Sequence, residues 1–141
     1  GFISGNRELI TSIREGSAMY QASTSLPPPV VAAGLASVKI MKEHPELRER
    51  VFKNAKHIRA GILVLGFDTI AGDAPIIPLL FRAYANAARL SEFMKKNNII
   101  VPLISYPVEM DGFMIRITAS ANHTGEQISE LLDVLKKWTG F

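Results

Sequence analysis

The sequence contains no cysteine in its 141 residues. Without thiols there can be no disulfide framework, no thiolate metal site and no cysteine nucleophile. The absence fits a reducing cytoplasm, which is the location we expect. The formal net charge is only +3, and 48% of the residues are hydrophobic against 21% charged, as in ordinary globular domains.

Long apolar runs and basic patches are also missing. The longest apolar run, residues 30–41, is interrupted by Lys39 and is too short to cross a bilayer. Lysine and arginine are spread along predicted helices, and no basic patch is interleaved with aromatic residues. No signal peptide is visible. We therefore expect one domain's worth of chain with neither a membrane segment nor a nucleic-acid partner.

The first residues are typical of the inside of a longer structure. Residues 1–5 resemble the end of a buried strand and its turn, and Asn6 is expected to cap a short helix over residues 7–14. The three prolines at 27–29 precede a helix over residues 30–43. Because that helix is apolar on nearly every side, we expect it to be sandwiched, either in this domain or against one outside the sequence.

From residue 45 to about residue 65, apolar residues recur every three or four positions and predict an amphipathic helix that Gly66 ends in the left-handed conformation. The opposite face is expected to be solvated; it carries Arg48, Arg50, Lys53, Lys56 and Arg59. The elements expected next are a short strand over 67–70, a strand over 76–81 whose proline suits a sheet edge, a helix over 85–96, and a strand that starts at residue 99.

The most informative stretch is residues 106–124. A turn over 109–112 leads into an alternating strand over 113–118, and Thr124 with Gln127 forms a capping-box pattern at the start of the last helix. Alternation predicts two strand faces: one with Phe113, Ile115, Ile117 and Ala119, the other with Met114, Arg116, Thr118 and Ser120. Together these elements predict an α+β fold, a small and mostly antiparallel sheet of three or four strands flanked by helices.

Arg116 places a guanidinium on the less apolar face of an otherwise buried-looking strand. Its planar fork suits bidentate binding of a carboxylate or a phosphate. The alternative is a surface arginine paired with a nearby glutamate, which spacing alone favours. Of the histidines, His44 and His57 are expected at the surface. His123 is expected to order the corner between strand and helix, without a chemical role.

Three segments, in this order, resemble the C-terminal part of the α-oxoamine synthase family. These are pyridoxal 5′-phosphate (PLP)-dependent acyltransferases that join an amino acid to an acyl-CoA with loss of carbon dioxide. The segments are GFISGN at residues 1–6, STSLPP at 23–28, and YP at 106–107 followed by IRI at 115–117 and SANHT at 120–124. With PIIPLLF at 75–81, the resemblance covers essentially the whole chain. It implies a fold type I PLP enzyme, with residues 1–25 ending the large PLP-binding domain and residues 26–141 forming the C-terminal small domain.

The resemblance also implies site residues. Arg116 aligns with the arginine that binds the α-carboxylate of the substrate amino acid. Pro107 and Val108 align with a turn that lines the substrate pocket. Ser23 and Thr24 align with residues that reach across a homodimer interface toward the cofactor phosphate of the other subunit, and ordinary helix capping is the alternative for these hydroxyls.

The chain departs from the family pattern at Glu109-Met110, where many relatives have a proline, and its loop to Arg116 is one residue shorter. The Schiff-base lysine would lie just upstream of Gly1, and all eight lysines present are expected on polar helix faces, so the chain alone is expected to be inactive. No metal site is predicted, and the implied partners are amino-acid and acyl-CoA substrates. Two alternatives remain: another fold type I enzyme, an aminotransferase or a lyase, and a non-catalytic α+β ligand-binding module.

Overall fold

The computed structural model describes residues 3–104 and 112–140. The chain divides into a first unit, Gly1–Ile40, and a second unit, Met41–Phe141. In the described ranges, no helix combines the length and the apolar character needed to cross a membrane.

The first unit is helical. Its elements are α1 (Arg7–Gly16), α2 (Ala18–Ala22) and the greater part of α3, which runs from Pro28 to Glu43 and so continues into the second unit. The predicted cap of α1 is confirmed, because the Leu9 N–H donates to Asn6 Oδ1 at 2.8 Å. None of the described residues of these three helices is buried. The expectation that α3 is sandwiched within this domain is therefore wrong, and burial against another domain stays a prediction.

The second unit holds the sheet. Its elements are α4 (Pro45–Val64), β1 (Ile76–Phe81), α5 (Tyr84–Lys96), β2 (Leu103–Ile104), β3 (Phe113–Thr118) and α6 (Gly125–Lys136). The strand order is β1-β3-β2 and both pairings are antiparallel. The predicted α+β class, with a small antiparallel sheet, is confirmed. Pro78 lies on β1, an edge strand, opposite Arg116, as expected for a residue without an N–H.

The core of the second unit packs the sheet against α4, α5 and α6. Its largest fully buried side chains are Ile58, Ile62, Ile77, Leu79, Leu90, Met94, Ile115 and Leu135. Each such burial stabilises the folded chain by about 1.5–3 kcal/mol. The predicted face alternation of β3 is confirmed, because Ile115, Ile117 and Ala119 are buried while Arg116 and Thr118 are not. This register fixes which face Arg116 occupies.

One predicted strand is wrong, and another begins later than predicted. Residues 67–70 form no strand; the Leu80 N–H donates to Asp68 O at 2.9 Å, which ties this segment to β1. Residues 99–101 are also irregular, because β2 begins only at Leu103. There the Ser91 hydroxyl donates to Val101 O at 3.0 Å, so the segment is held by a side chain of α5 instead of by a strand partner.

The solvated face predicted for α4 is wrong at Arg59. This side chain is half-buried, and its Nη2 donates to Ala74 O at 2.9 Å and to Ile76 O at 3.4 Å. The physical reason is that the loop before β1 carries carbonyl groups that need donors, and the guanidinium supplies them. The other basic residues of that face are exposed.

Two glycines and one capping box shape the connections. Gly66 has a φ of +83°, which confirms the predicted left-handed end of α4. Gly112, just before β3, has a φ of +122°. At the start of α6, the Gln127 N–H donates to Thr124 Oγ1 at 3.3 Å and the Thr124 N–H donates to Gln127 Oε1 at 3.0 Å. The predicted capping box is therefore confirmed.

Candidate functional site

A cavity of about 370 Å³ opens beside β3 in the second unit. We call it the Arg116 cavity. Its polar lining is Asn98, Arg116, Thr118, His123, Gln127 and Glu130, and its apolar lining includes Ile58, Val101, Ile117, Ile128 and Leu131. The volume falls within the range of about 300–1,000 Å³ that is typical of small-molecule sites, so the cavity can hold a ligand the size of an amino acid.

Arg116 is half-buried in this cavity. Its Nε atom is excluded from solvent. Its backbone N–H donates to Pro102 O at 3.0 Å, and on the other side of β3 the residue is in register with Pro78. Arg116 thus lies on the central strand and lines a concavity beside it.

The electrostatics of the cavity favour an anion near Arg116. A partly desolvated guanidinium binds carboxylate oxygens more strongly than a solvated one does. Gln127 and Ile128, from the first turn of α6, line the same cavity, and the positive end of the helix dipole adds to the attraction. Glu130 is the acidic residue of the described lining, and it lies one turn further along α6.

Glu126, also in the first turn of α6, is fully exposed. A hydrogen bond from the Thr124 side chain, followed by one from its own backbone N–H, lowers the pKa of this carboxyl below its usual value. Similarly, a backbone hydrogen bond and then the His44 side chain lower the pKa of Glu46 at the start of α4. Both carboxylates complement a helix N-terminus.

The turn between β3 and α6 is held by a network that includes His123. The Ser120 N–H donates to His123 Nδ1 at 3.2 Å. Asn54 of α4 donates from Nδ2 to Ser120 O at 2.9 Å and to His123 O at 3.0 Å. The prediction that His123 orders this corner is confirmed. Asn54 was missed by sequence reasoning, and the available signal was a polar residue directly beside the buried Ala55.

Ser23 and Thr24 lie in the first unit, between α2 and α3, and both are exposed. Ser23 has an extended backbone and follows the last residue of α2. Neither hydroxyl caps α3, which begins at Pro28 and whose Val30 N–H donates to Pro27 O at 2.9 Å. The capping alternative is therefore wrong for Ser23 and Thr24.

The other predictions concern residues that are not among the described lining of the Arg116 cavity. Pro107, Val108 and the Glu109-Met110 departure lie outside the described residues. All eight lysines are exposed. In the described ranges, no group of three or more histidine and acidic residues is arranged to hold a metal ion.

Comparison with known proteins gives one family and a consistent set of relatives. A model of the aminotransferase class I and II family matches residues 1–135. The chain is 36% identical over 135 residues to an 8-amino-7-oxononanoate synthase from Methylococcus capsulatus, with 95% of this chain covered. It is 31% identical over 138 residues to a 2-amino-3-ketobutyrate coenzyme A ligase from Salmonella typhimurium, with 97% covered.

A solved structure shows the same fold. It is a serine palmitoyltransferase from S. paucimobilis with a bound PLP–myriocin aldimine, and it matches with a TM-score of 0.86 and 25% identity. The match covers 95% of this chain and 34% of that one. The chain likewise spans 35% of the length of each of the two curated relatives.

Proposed function

The chain belongs to the aminotransferase class I and II family, and from that premise we propose that it supplies the substrate-carboxylate site of a PLP-dependent α-oxoamine synthase. The resemblance found in the sequence is confirmed by relatives named 8-amino-7-oxononanoate synthase and 2-amino-3-ketobutyrate coenzyme A ligase. The proposed reaction joins an amino acid to an acyl-CoA with loss of carbon dioxide. The observation that carries the proposal is that Arg116 is half-buried, with its Nε atom shut off from solvent, and lines a cavity large enough for an amino acid.

In this proposal Arg116 binds the carboxylate of the amino acid. Because β3 is the central strand, the backbone of Arg116 lies between two paired strands, and the point from which its side chain projects is set before a ligand arrives. A preorganised cation of this kind loses little freedom when it binds. By fixing the carboxylate, it would also orient the Cα bond that is to be broken.

PLP, when bound, supplies the electron sink for a carbanion at that carbon. The residues of this chain that fit the cofactor are Ser23 and Thr24, because their exposed hydroxyls make no hydrogen bond within the described residues and can donate to phosphate oxygens. We propose that they serve the cofactor of the partner subunit in a homodimer. All eight lysines are exposed, and none has the apolar environment expected of a Schiff-base lysine. We therefore propose that this chain alone does not catalyse the reaction.

The test is an absorbance titration of the full-length, PLP-loaded protein with candidate amino acids. Arg116→Ala removes a charge-assisted contact worth about 1.5–3 kcal/mol, so the dissociation constant should rise about 10- to 100-fold with the cofactor spectrum intact. Arg50→Ala is the matched control, since Arg50 is exposed on α4 and lines none of the described cavities. Unchanged affinity in Arg116→Ala would remove the assigned role.

Transamination is the second candidate, because the matching family is described by that activity. The two candidates differ in their products. Release of free CoA from an acyl-CoA in the presence of an amino acid supports the synthase. Formation of an oxo acid without CoA release would move the assignment to an aminotransferase.

A further inference from the structure

We infer that His123 is a second ligand-binding residue in the Arg116 cavity and donates a hydrogen bond from Nε2 to the carboxylate that Arg116 binds. The inference rests on the proposed function of Arg116. It adds a role to a residue whose part in ordering the corner is already visible in the structure.

The orientation of the imidazole ring is fixed from one side. Its Nδ1 accepts the Ser120 N–H at 3.2 Å. Since a nitrogen that accepts carries no proton, the proton of the neutral ring is on Nε2. The two ends of the turn are held by Asn54, whose amide donates to the carbonyl oxygens of Ser120 and His123. The ring is therefore set in one tautomer and one position before any ligand binds.

The remaining nitrogen is available to a ligand. His123 is half-buried and lines the Arg116 cavity. Within the described residues, Nε2 makes no hydrogen bond, and it is not among the polar atoms that are shut off from solvent. A donor that is accessible, without a partner and on the wall of a cavity is placed to meet what enters that cavity.

Two other polar groups of the lining are constrained in ways that His123 is not. The Oε1 atom of Gln127 accepts the Thr124 N–H, which ties its amide to the capping box at the start of α6. Glu130 has only acceptor oxygens when ionised and repels a carboxylate. A carboxylate has two oxygens with about four acceptor positions, so the fork of Arg116 leaves room for another donor. His123 supplies such a donor without adding a full charge.

Two substitutions separate the ordering role from the binding role. His123→Asn places an amide oxygen near the Nδ1 position, so the Ser120 N–H keeps an acceptor while the Nε2 donor is lost. His123→Gln places an amide nitrogen near the Nε2 position and loses the Nδ1 acceptor. Both are prepared in the full-length, PLP-loaded protein beside Arg116→Ala. Amino-acid affinity is read from the cofactor absorbance, and folding is read from the melting temperature.

For His123→Asn we expect an unchanged melting temperature and an amino-acid dissociation constant raised about 10-fold or more, the effect of losing one hydrogen bond to a charged carboxylate. His123→Gln should recover part of that affinity even though its melting temperature falls. A purely structural role would give the opposite pattern, with affinity following the melting temperature, and would overturn the inference.

A direct readout uses wild-type protein labelled with ¹⁵N-histidine, with the His123 signal assigned by its loss in His123→Asn. Alanine should shift the Nε2 resonance, whereas alaninol, which lacks the carboxylate, should not. If Arg116→Ala weakens binding but His123→Asn does not and the resonance stays in place, the inference fails while the proposed function stands. If neither substitution changes affinity, both are overturned.

Discussion

At the scale of single residues, Gly112 shows how little freedom the approach to β3 allows. It has a φ of +122°, and a Cβ built on it would lie 2.6 Å from the carbonyl oxygen of Phe81. That oxygen belongs to the backbone of β1, which is paired with β3. A side chain at this position therefore faces both a strained backbone and an obstacle that cannot rotate away.

Gly112→Ala should lower the free energy of unfolding by about 1–3 kcal/mol, through strain and through displacement of the strand pair. Gly125→Ala is the control, because its Cβ would meet nothing within 4 Å and its φ is not positive. The control should stay within about 0.5 kcal/mol of the wild type. Urea denaturation measures both, and equal stability of the two variants would contradict the strain argument.

Part of the candidate site could be predicted from the identities of its residues. Strand alternation assigns Arg116 to a face and its guanidinium stands out among apolar neighbours, but spacing alone favours a surface arginine, and only the family resemblance implies that it binds a carboxylate. The cavity around it could not be found that way, since it is built from residues as distant in sequence as Ile58 and Leu131. The available Nε2 of His123 likewise depends on a hydrogen bond at Nδ1 that spacing does not reveal.

At the scale of elements, α4 and the turn after β3 are joined by one amide. Asn54 donates to Ser120 O and to His123 O, and these acceptors lie 66 and 69 residues further along the sequence. A buried or half-buried carbonyl that loses its donor is costly, about 1–3 kcal/mol. The position of His123 in the cavity therefore depends on a helix that lies far from it in sequence.

Asn54→Ala should destabilise the protein by about 1–3 kcal/mol, because two carbonyl groups lose their donor. Asn54→Asp has almost the same shape but presents oxygens to oxygens, so it should be no better tolerated than alanine. Lys53→Ala, on the exposed neighbouring position, is the control and should change little. Thermal unfolding compares the three, and a wild-type melting temperature for Asn54→Asp would argue against the two hydrogen bonds.

Element boundaries show where local pattern was sufficient. The extents of α4, β1 and β3 followed from periodicity and from glycine and proline positions. The segments 67–70 and 99–101 were predicted as strands from their apolar and β-branched residues. Their backbones are instead held by Leu80 and by the Ser91 hydroxyl, and such tertiary partners override local propensity.

At the scale of the whole molecule, the chain offers two candidate regions, one in each unit. Arg116 belongs to the second unit, whereas Ser23 and Thr24 belong to the first. The fold class was predicted from the order of elements. The exposure of α3 was not predicted, because all-round apolarity indicates that a helix is covered but does not indicate which domain covers it. The predicted division at residue 25 stays a prediction.

Subunit mixing tests the proposed homodimer. One full-length subunit carries Arg116→Ala, and the other carries Ser23→Ala with Thr24→Ala. If the hydroxyls serve the cofactor of the partner subunit, a mixed dimer contains one site with both defects and one intact site. Co-refolding the two impaired variants, assayed at an amino-acid concentration well below the raised dissociation constant of Arg116→Ala, should then restore up to about half of wild-type activity per mixed dimer.

Each variant refolded alone is the control and should stay impaired under the same assay conditions. If the hydroxyls and the arginine serve the same subunit's site, every site in the mixed dimer keeps one defect. No recovery after mixing, with mixed dimers verified by differential tags, would therefore contradict the arrangement across the interface.

The proline of β1 has a consequence for how the sheet ends. Leu80 turns its N–H away from β3 toward Asp68, and the two-residue period of a strand places the nitrogen of Pro78 on that same outer side. A proline nitrogen carries no hydrogen to donate, and the N–H of Leu80 already donates to Asp68 O. A strand from another copy that approached this edge of β1 would therefore find few free N–H donors to pair with. This disfavours edge-to-edge aggregation along β1.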